Sequence, residues 1–306
     1  MSHEHAHHPH HHHGGADSPT GGSARNFAIA LALNVAFTAV EIVGGLYTNS
    51  LAILSDALHD LGDSIALSAA LVLERLSGRR RTPRYSYGYR RYSLLSALLN
   101  SIVLLAGAGI IISHAVPRII HPEHVRQSGM LILAIVGIVV NGIAMLRLRG
   151  GRKMNERTVM LHFLEDTLGW TAVLVGSIIM MIVDLPIIDP ILSVAITLYA
   201  AFRALSNLVR TMRIFLQSVP PDVDIDGLVN HITKMEPVVD VHDVHAWTLD
   251  GEYNVLTLHV VVPDSFPPEN AADLRKQIRE YLNSNGIQHA TIEVGRESED
   301  CGLAGC

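Results

Sequence analysis

Six stretches of the chain are each long and apolar enough to cross a lipid bilayer, and they constrain the fold more than any other feature. A membrane-spanning helix needs about 20 predominantly apolar residues. Hydrophobic residues make up 49% of the sequence and charged residues only 17%, a balance common in integral membrane proteins and rare in soluble ones. The segments lie near residues 27–47, 51–73, 93–116, 129–148, 158–183 and 187–208. The sequence therefore predicts an all-α membrane domain of six helices over residues 25–216.

Lysine and arginine are concentrated in two of the connections between these segments. The second connection contains ERLSGRRRTPRYSYGYRRY and the fourth contains RLRGGRKMNER, whereas the first and fifth, YTNS and VDLPIID, contain neither residue type. The third connection contains only Arg118 and Arg126. The positive-inside rule therefore predicts that the basic connections and both termini lie in the cytoplasm.

From about residue 217 the pattern changes to that of a soluble domain. A helix, two strands, a second helix and a third strand are expected in that order over residues 222–237, 238–262, 268–286 and 289–295. Asp250-Gly251 is a tight-turn signal between the two strands. We predict a small cytoplasmic α+β domain over residues 217–296, with helices on one face of its sheet. Residues 1–24 and 297–306 are expected to be tails.

Two of the apolar segments carry a histidine and an aspartate four residues apart. The second segment has His59 and Asp63, and the fifth has His162 and Asp166. On a helix, residues four apart lie on one face, about 6 Å apart along the axis. If the two faces meet, they offer two nitrogens and two oxygens, a tetrahedral set suited to Zn²⁺. The alternative is that these groups only hydrogen-bond the helices together, but ionisable residues inside a membrane are usually functional.

Charge balance suggests what replaces the metal ion when such a site is empty. Two neutral imidazoles, two carboxylates and one divalent cation sum to zero charge, whereas the empty site leaves two buried carboxylates unpaired. Histidine titrates near neutral pH and can take up protons instead, and metal binding then releases them. The sequence therefore predicts exchange of a divalent metal ion for H⁺.

Further acidic residues lie near the expected ligands or in other apolar segments. Asp56, Asp60 and Glu165 flank the two pairs and are expected to orient the histidines or to form a proton route. Their alternative role is to hold a harder metal ion, which prefers oxygen ligands. Glu41, in the first segment, is assigned to the same group, with pairing or gating favoured over metal binding. Asp189, at the start of the sixth segment, is expected to cap a helix.

Taken together, the polar motifs resemble those of the cation diffusion facilitator family, and in particular its zinc-transporting branch. They are NSLAILSDALHDLGDS, TPRYSYGYRR and HFLEDTLG, followed in the C-terminal domain by VHDVHAWTL, TLHVVV and HATIEV. The resemblance spans residues 25–296 and implies a homodimeric, proton-coupled antiporter that moves Zn²⁺ out of the cytoplasm by alternating access. The transport-site ligands that it implies are His59, Asp63, His162 and Asp166.

The resemblance also implies roles for the C-terminal domain. In this family a soluble domain of ferredoxin-like or metallochaperone-like fold completes the dimer and binds regulatory zinc, and the matching positions are His242, His259 and Glu293. Family members link the two domains by a charge pair, for which Arg91 and Asp222 are the candidates.

Some positions depart from the family pattern. Glu165 adds an acid directly before Asp166, and Trp170 stands where a small residue is common, so the metal selectivity stays open. The short fourth connection lacks the histidine run of eukaryotic members, which favours a bacterial-type member and hence the bacterial inner membrane.

Both ends of the chain contain additional potential metal ligands. Eight of the first 13 residues are histidines, among them His7 and His8. Such a tail binds divalent metals weakly and is expected to raise local zinc at a cytoplasmic entrance, with an expression tag or a disordered tail as the alternative. Cys301 and Cys306 are spaced C-x₄-C and are either metal ligands or inert thiols.

A secondary transporter is the expected class of protein, with a membrane metal sensor and an intramembrane zinc metalloenzyme as alternatives. The sequence contains no G-x-x-x-x-G-K-[ST] loop, so direct coupling to ATP is not expected. A zinc enzyme needs three protein ligands, an open fourth position and a base such as Glu165, and a set of four ligands argues against it. The charge pattern does not resemble a nucleic-acid-binding surface.

Overall fold

The structure is a computed structural model that describes residues 21–77, 81–148 and 154–299. Six long helices come first along this part of the chain: α1 (Gly21–Thr48), α2 (Leu51–Ser77), α3 (Tyr92–Ile120), α4 (Gln127–Leu148), α5 (Met154–Val183) and α6 (Ile188–Phe215). They occupy the predicted segments, although α6 continues past the expected end at residue 208. Four of the described helices, α3, α4, α5 and α6, have the length and hydropathy of a membrane span. The three aspartates in the middle of α2 lower its hydropathy.

The described residues form two compact units. The first comprises residues 21–64 and 110–197, and the second comprises residues 65–109 and 198–299. The interior of the first unit is a cluster of apolar side chains from α1, α2, α4 and α5. The cluster includes Phe37, Ala52, Ile53, Met130, Ala134, Trp170, Val173 and Met180. Apolar burial of this kind is how facing helices of a bundle form a core.

Hydrogen bonds join the α1–α2 connection to the α3–α4 connection at one end of the first unit, which we call the connection end. Asn49 has a φ of 57°, in the left-handed region that Asn tolerates better than most residues, and its Nδ2 donates to Glu123 Oε2 at 3.1 Å. Arg118 donates to Asn49 Oδ1 at 2.8 Å and pairs with Glu123 at 2.8 Å. The Arg126 amide donates to the Thr48 carbonyl at 2.9 Å. These two connections therefore lie on the same side of the first unit.

Asp189 caps a helix, but the helix is α2 rather than its own α6. Its buried carboxylate accepts hydrogen bonds from the Ser50 hydroxyl (2.5 Å), the Leu51 amide (2.8 Å) and the Ala52 amide (3.3 Å). The first amides of a helix have no intrahelical acceptor, and a carboxylate beside them is favourable. Asp189 therefore fixes the start of α2 and brings the start of α6 to the connection end.

The second unit contains the C-terminal domain, in which two helices and a sheet share one core. Its elements are α7 (Ile225–Ile232), β1 (Asp240–Thr248), β2 (Asn254–Val262), a 3₁₀ turn (Pro268–Asn270), α8 (Ala271–Ser284) and β3 (His289–Arg296), in the predicted order. The strands lie in the order β1-β2-β3, with β1 antiparallel and β3 parallel to β2. The core includes Leu228, Ile232, Leu256, Leu258, Val260, Leu274, Ile278 and Leu282. Alternate residues of β2, among them His259, lie on the opposite, only partly buried face.

The first helix of this domain is shorter than predicted. The α-helix expected over residues 222–237 covers only Ile225–Ile232, and the chain continues in turns after it. The connection between β1 and β2 contains Asp250-Gly251, as predicted, and Gly251 has a φ of 95° there. Its shape depends on a side chain, because Asp250 Oδ1 accepts hydrogen bonds from the amides of Glu252 (3.0 Å) and Tyr253 (2.8 Å).

The cap on α2 gives a first testable prediction. Asp189→Asn keeps the size of the side chain but removes one acceptor that the Leu51 amide needs. We expect a loss on the order of 1–2 kcal/mol, measured as a lower apparent Tm of the detergent-solubilised protein. Asp184→Asn, the same change at an exposed position of the α5–α6 connection, is the matched control. Equal Tm values for the two variants would contradict a stabilising role for this cap.

Candidate metal centre

His59 and Asp63 lie on one face of α2, as their spacing predicts. His59 Nε2 is 3.6 Å from Asp63 Oδ2, one helical turn away. Both side chains are mostly buried, with 26% and 18% of their surface exposed. A partly buried imidazole beside a carboxylate is a typical half of a zinc site.

Asp166 of α5 faces the acidic part of α2. Its side chain is buried, and its charge interacts with those of Asp56 and Asp63. Gly169, less than one turn further along α5, lies so close to α2 that a Cβ there would be 3.8 Å from Asp56 Oδ1. The histidine and aspartate of α2 and the aspartate of α5 therefore belong to one region of the first unit.

The fourth expected ligand, His162, lies in α5, but its side chain is outside the described residues. Among the side chains that are described, no three of His, Cys, Asp or Glu converge as a set that could hold a metal ion. His59, Asp63 and Asp166, whose side chains are all described, therefore share one region of the first unit without converging as a ligand set.

Buried acids surround this region. Glu41 of α1 is fully buried, and Asp56 and Asp60 of α2 are nearly so. Neither carboxylate oxygen of Glu41, nor Oδ1 of Asp60, has a hydrogen-bond partner among the described residues. The charges of Glu41 and Asp60 interact with each other and with those of Asp56 and Asp166. Glu165 is only half-buried. Several carboxylates in one apolar interior strongly favour the uptake of protons or a cation.

A second group of histidines and acids crosses the open face of the C-terminal sheet. His242 on β1 lies opposite His259 on β2, and His259 lies opposite Glu293 on β3. The two imidazole rings are 5.6 Å apart, and His259 Nε2 is 2.9 Å from Glu293 Oε2. His242 Nδ1 donates to Asp240 Oδ2 at 2.9 Å. The buried Nε2 of His242 has no hydrogen-bond partner in the described part of the chain, and this is how a carboxylate orients an imidazole for metal binding.

Asp243 and His245 also belong to this group, although the sequence did not predict them there. The pairing register shifts between His242 and His245, and Asp243 has a φ of 51° at that irregularity. The carboxylate of Asp243 pairs with His245 Nε2 at 2.8 Å and approaches His259 Nε2 to 4.0 Å. The pattern His-Asp-x-His at 242–245 was the available signal, but regular alternation would have placed Asp243 on the other face.

The charge pair expected between Arg91 and Asp222 is not formed in the described residues. The pair observed is Arg90–Asp250, whose Nη1 and Oδ2 are 3.1 Å apart. The Arg90 guanidinium also lies over the ring of Tyr253, 4.3 Å from its centre. The basic connection before α3 is therefore held against the β1–β2 connection, because the carboxylate and the aromatic ring lie together there.

The residues proposed as ligands in the two tails, His7, His8, Cys301 and Cys306, lie outside the described residues.

The long apolar helices with their buried acids, followed by an α+β domain, define a multi-pass membrane protein that handles cations. Sequence comparison agrees: the family model described as the cation efflux transmembrane domain matches residues 27–216, and the one described as the cation efflux protein, cytoplasmic domain, matches residues 220–296. The chain belongs to the cation efflux, or cation diffusion facilitator, family, as the motifs predict.

Relatives cover nearly the whole chain. The zinc transporter ZitB of Yersinia pestis is 34% identical over 93% of this chain and 91% of its own length. The metal cation efflux system protein CzcD of Cupriavidus metallidurans is 32% identical, with 89% and 87% covered. The cadmium, cobalt and zinc/H⁺-K⁺ antiporter of Bacillus velezensis is 29% identical, with 94% and 91% covered. These are names of transport proteins, so the intramembrane metalloenzyme is set aside.

The Arg90–Asp250 pair gives a second prediction. Removing the guanidinium with Arg90→Ala is expected to loosen the basic connection, which contains four tyrosines within TPRYSYGYRRY. Because a partly exposed ion pair contributes only about 0.5–1 kcal/mol, we expect chymotrypsin to cleave this connection about two- to five-fold faster. Arg84→Ala, at an exposed arginine of the same connection, is the control, and equal cleavage of the two variants would contradict the role assigned to Arg90.

Proposed function

We propose that this protein is a proton-coupled antiporter that exports Zn²⁺, and related divalent ions such as Cd²⁺, from the cytoplasm by alternating access. The observation that supports the proposal is that the α2 pair His59–Asp63 and the buried Asp166 of α5 lie in apolar helices, with the charges of Asp63 and Asp166 close enough to interact. Membership of the cation efflux family and the names of the relatives support it.

The proposed transport site consists of His59, Asp63, His162 and Asp166. Two imidazole nitrogens and two carboxylate oxygens neutralise a divalent cation and suit the tetrahedral preference of zinc. A neutral, loaded site can be occluded within apolar surroundings, whereas an empty one needs protons. Each transport cycle therefore returns H⁺ as the metal leaves, because the ligands must be deprotonated when they bind it.

The acids around the site are proposed to orient its ligands and to carry the exchanged protons. Asp56 and Asp60 lie on the same helix as two of the ligands, and Glu165 precedes the ligand Asp166. Glu41 approaches from a third helix. The burial of Glu41, Asp56 and Asp60 supports this role, since a charged carboxylate in apolar surroundings is unfavourable until a proton or a cation neutralises it.

The chain is proposed to cross the bacterial inner membrane six times, with both termini in the cytoplasm. The basic second and fourth connections support this orientation. The α1–α2 and α3–α4 connections and the start of α6 share the connection end, as expected for helices that cross in alternating directions. The proposed domains are a tail (1–24), the membrane domain (25–216), the cytoplasmic domain (217–296) and a second tail (297–306).

The cytoplasmic domain is proposed to pair two copies of the chain into a homodimer with C₂ symmetry and to bind a regulatory Zn²⁺. His242, His259 and Glu293 are the proposed ligands, since they are neighbours in register on adjacent strands and the buried Nε2 of His242 has no hydrogen-bond partner among the described residues. Bound zinc would neutralise the acids on this face and hold its three strands together. The tail ligands His7, His8, Cys301 and Cys306 are proposed as auxiliary metal-binding groups.

Transport tests the proposal directly. Purified protein in liposomes, with a zinc dye and a pH dye inside, is expected to move Zn²⁺ and H⁺ in opposite directions. His59→Ala and Asp166→Ala should each lower zinc flux by more than about tenfold, because the ligand set becomes incomplete. His114→Ala, which removes an exposed histidine of α3, should leave the flux unchanged.

Two other results would redirect the proposal. Mn²⁺ flux that survives His59→Ala would mean that the acids alone form the working site, since manganese favours oxygen ligands. Tight zinc binding without any flux would favour a membrane metal sensor, the function that the histidine-bearing face of the cytoplasmic sheet could serve by itself.

The regulatory site has its own test. His259→Ala in the full-length protein should reduce the zinc bound at equilibrium by about one ion per chain, while flux through the membrane site persists. His231→Ala, at a histidine that stacks on Tyr281 rather than lying on the open sheet face, is the control. Unchanged zinc content in His259→Ala would contradict metal binding by this face.

A further inference from the structure

Trp170 lies one helical turn beyond Asp166 on α5, on the side of the connection end. Residues four apart on a helix share a face and are about 6 Å apart along the axis. Only 1% of the Trp170 surface is exposed. An ion that moves along this face of α5, from the Asp166 carboxylate towards the connection end, would therefore meet the indole as the first large side chain.

A close fit with two other helices holds the indole in place. Gly137 of α4 lies directly against it, so that a Cβ at that position would overlap the atoms of the indole ring. Phe37 of α1 packs against the indole of Trp170 edge-to-face, with ring centres 5.8 Å apart at an interplanar angle of 60°. Only glycine allows the α4 backbone to approach the ring this closely. Trp170 therefore closes the space between α1, α4 and α5.

Beyond Trp170, towards the connection end, the interior contains the apolar cluster of the first unit beside buried polar side chains such as Asp189. Ile53, Ala134, Val173 and Met180 are buried there in the same cluster. Close-packed side chains of this kind leave no room for a hydrated ion. Passage from the acids to the connection end therefore requires this layer to open, starting at the side chain nearest the acids.

The indole of Trp170 also carries a buried donor without an acceptor. Its Nε1 has no hydrogen-bond partner among the described residues, whereas a buried indole N–H usually finds one. An unsatisfied donor destabilises the closed position by itself. Movement away from Gly137, into a hydrated opening, would satisfy that donor and so offset part of the loss of packing.

We propose that Trp170, packed against Gly137, is the gate that closes the transport site of this protein towards the connection end. The indole must move away from Gly137 before the metal ion can be released. This proposal rests on the proposed function, which identifies the ion that passes the gate as a divalent metal ion. Under this proposal, the gate is closed in the structure. Under the proposed orientation, the connection end faces away from the cytoplasm.

Accessibility of a buried reporter tests the gate without relying on metal transport. Val173→Cys, in a chain whose native Cys301 and Cys306 are replaced by Ser, places one thiol in the packed layer. Cells that express this chain are treated from outside with a membrane-impermeant thiol reagent, and the rate of labelling is measured. Gly137→Ala displaces the indole, and Trp170→Ala removes it. Gly142→Ala adds the same methyl group to α4 where nothing lies within 4 Å.

We expect Gly137→Ala and Trp170→Ala to raise the labelling rate about tenfold or more, in line with the cost of overpacking or emptying a core site. Gly142→Ala should leave the rate unchanged, and Trp170→Phe, which retains an aromatic ring, should give a smaller rise. If Gly137→Ala does not reach the membrane, Trp170→Ala still decides the question, because it adds no atoms.

Zinc flux measured on the same variants separates the two proposals. Wild-type flux together with equal labelling of Trp170→Ala and Gly142→Ala would overturn the gate and leave the antiporter intact. Faster labelling of Trp170→Ala and Gly137→Ala in a chain without zinc flux would support the gate and overturn the antiporter.

Discussion

The burial of several carboxylates in an apolar interior is the constraint on which the rest of the structure depends. Glu41, Asp56, Asp60 and Asp166 come from three helices and interact through their charges. Such a group is strongly destabilising unless protons or a cation neutralise it. The surrounding helices must therefore be held in place by other interactions, and the apolar cluster of the first unit and the cap that Asp189 supplies to α2 provide them.

In the described residues, histidines and acids occur together within the apolar helices and again on the partly exposed face of the cytoplasmic sheet. Within the helices, His59 and Asp63 lie beside other buried acids, so binding and release of charge are tightly linked. On the cytoplasmic sheet, His242, His259 and Glu293 lie on a partly exposed face, where water stabilises each charged form. The first setting favours the proposed exchange of a metal ion for protons, and the second favours the proposed retention of an ion.

The predictions that succeeded rest on short-range periodicity. Apolar length located the six long helices, and the i,i+4 spacing of His59 and Asp63 gave their shared face. The predictions that failed required a knowledge of side-chain partners. The structure pairs Arg90 with Asp250 instead of Arg91 with Asp222, because the arginine that faces the domain depends on how the connection turns. Asp250-Gly251 marks the connection between the strands correctly, but the pattern does not show that the Asp250 carboxylate accepts hydrogen bonds from two backbone amides there.

The sequence by itself determined the family, the positions of the long helices and the types of side chain that could bind a metal ion, because these depend on composition and on spacing along one element. Only the tertiary structure decided which helix Asp189 caps, which arginine pairs with Asp250, and that Gly137 of α4 receives the indole of Trp170. These contacts join residues far apart in the chain. Their free energy depends on distances between elements, and no local pattern of residues specifies those distances.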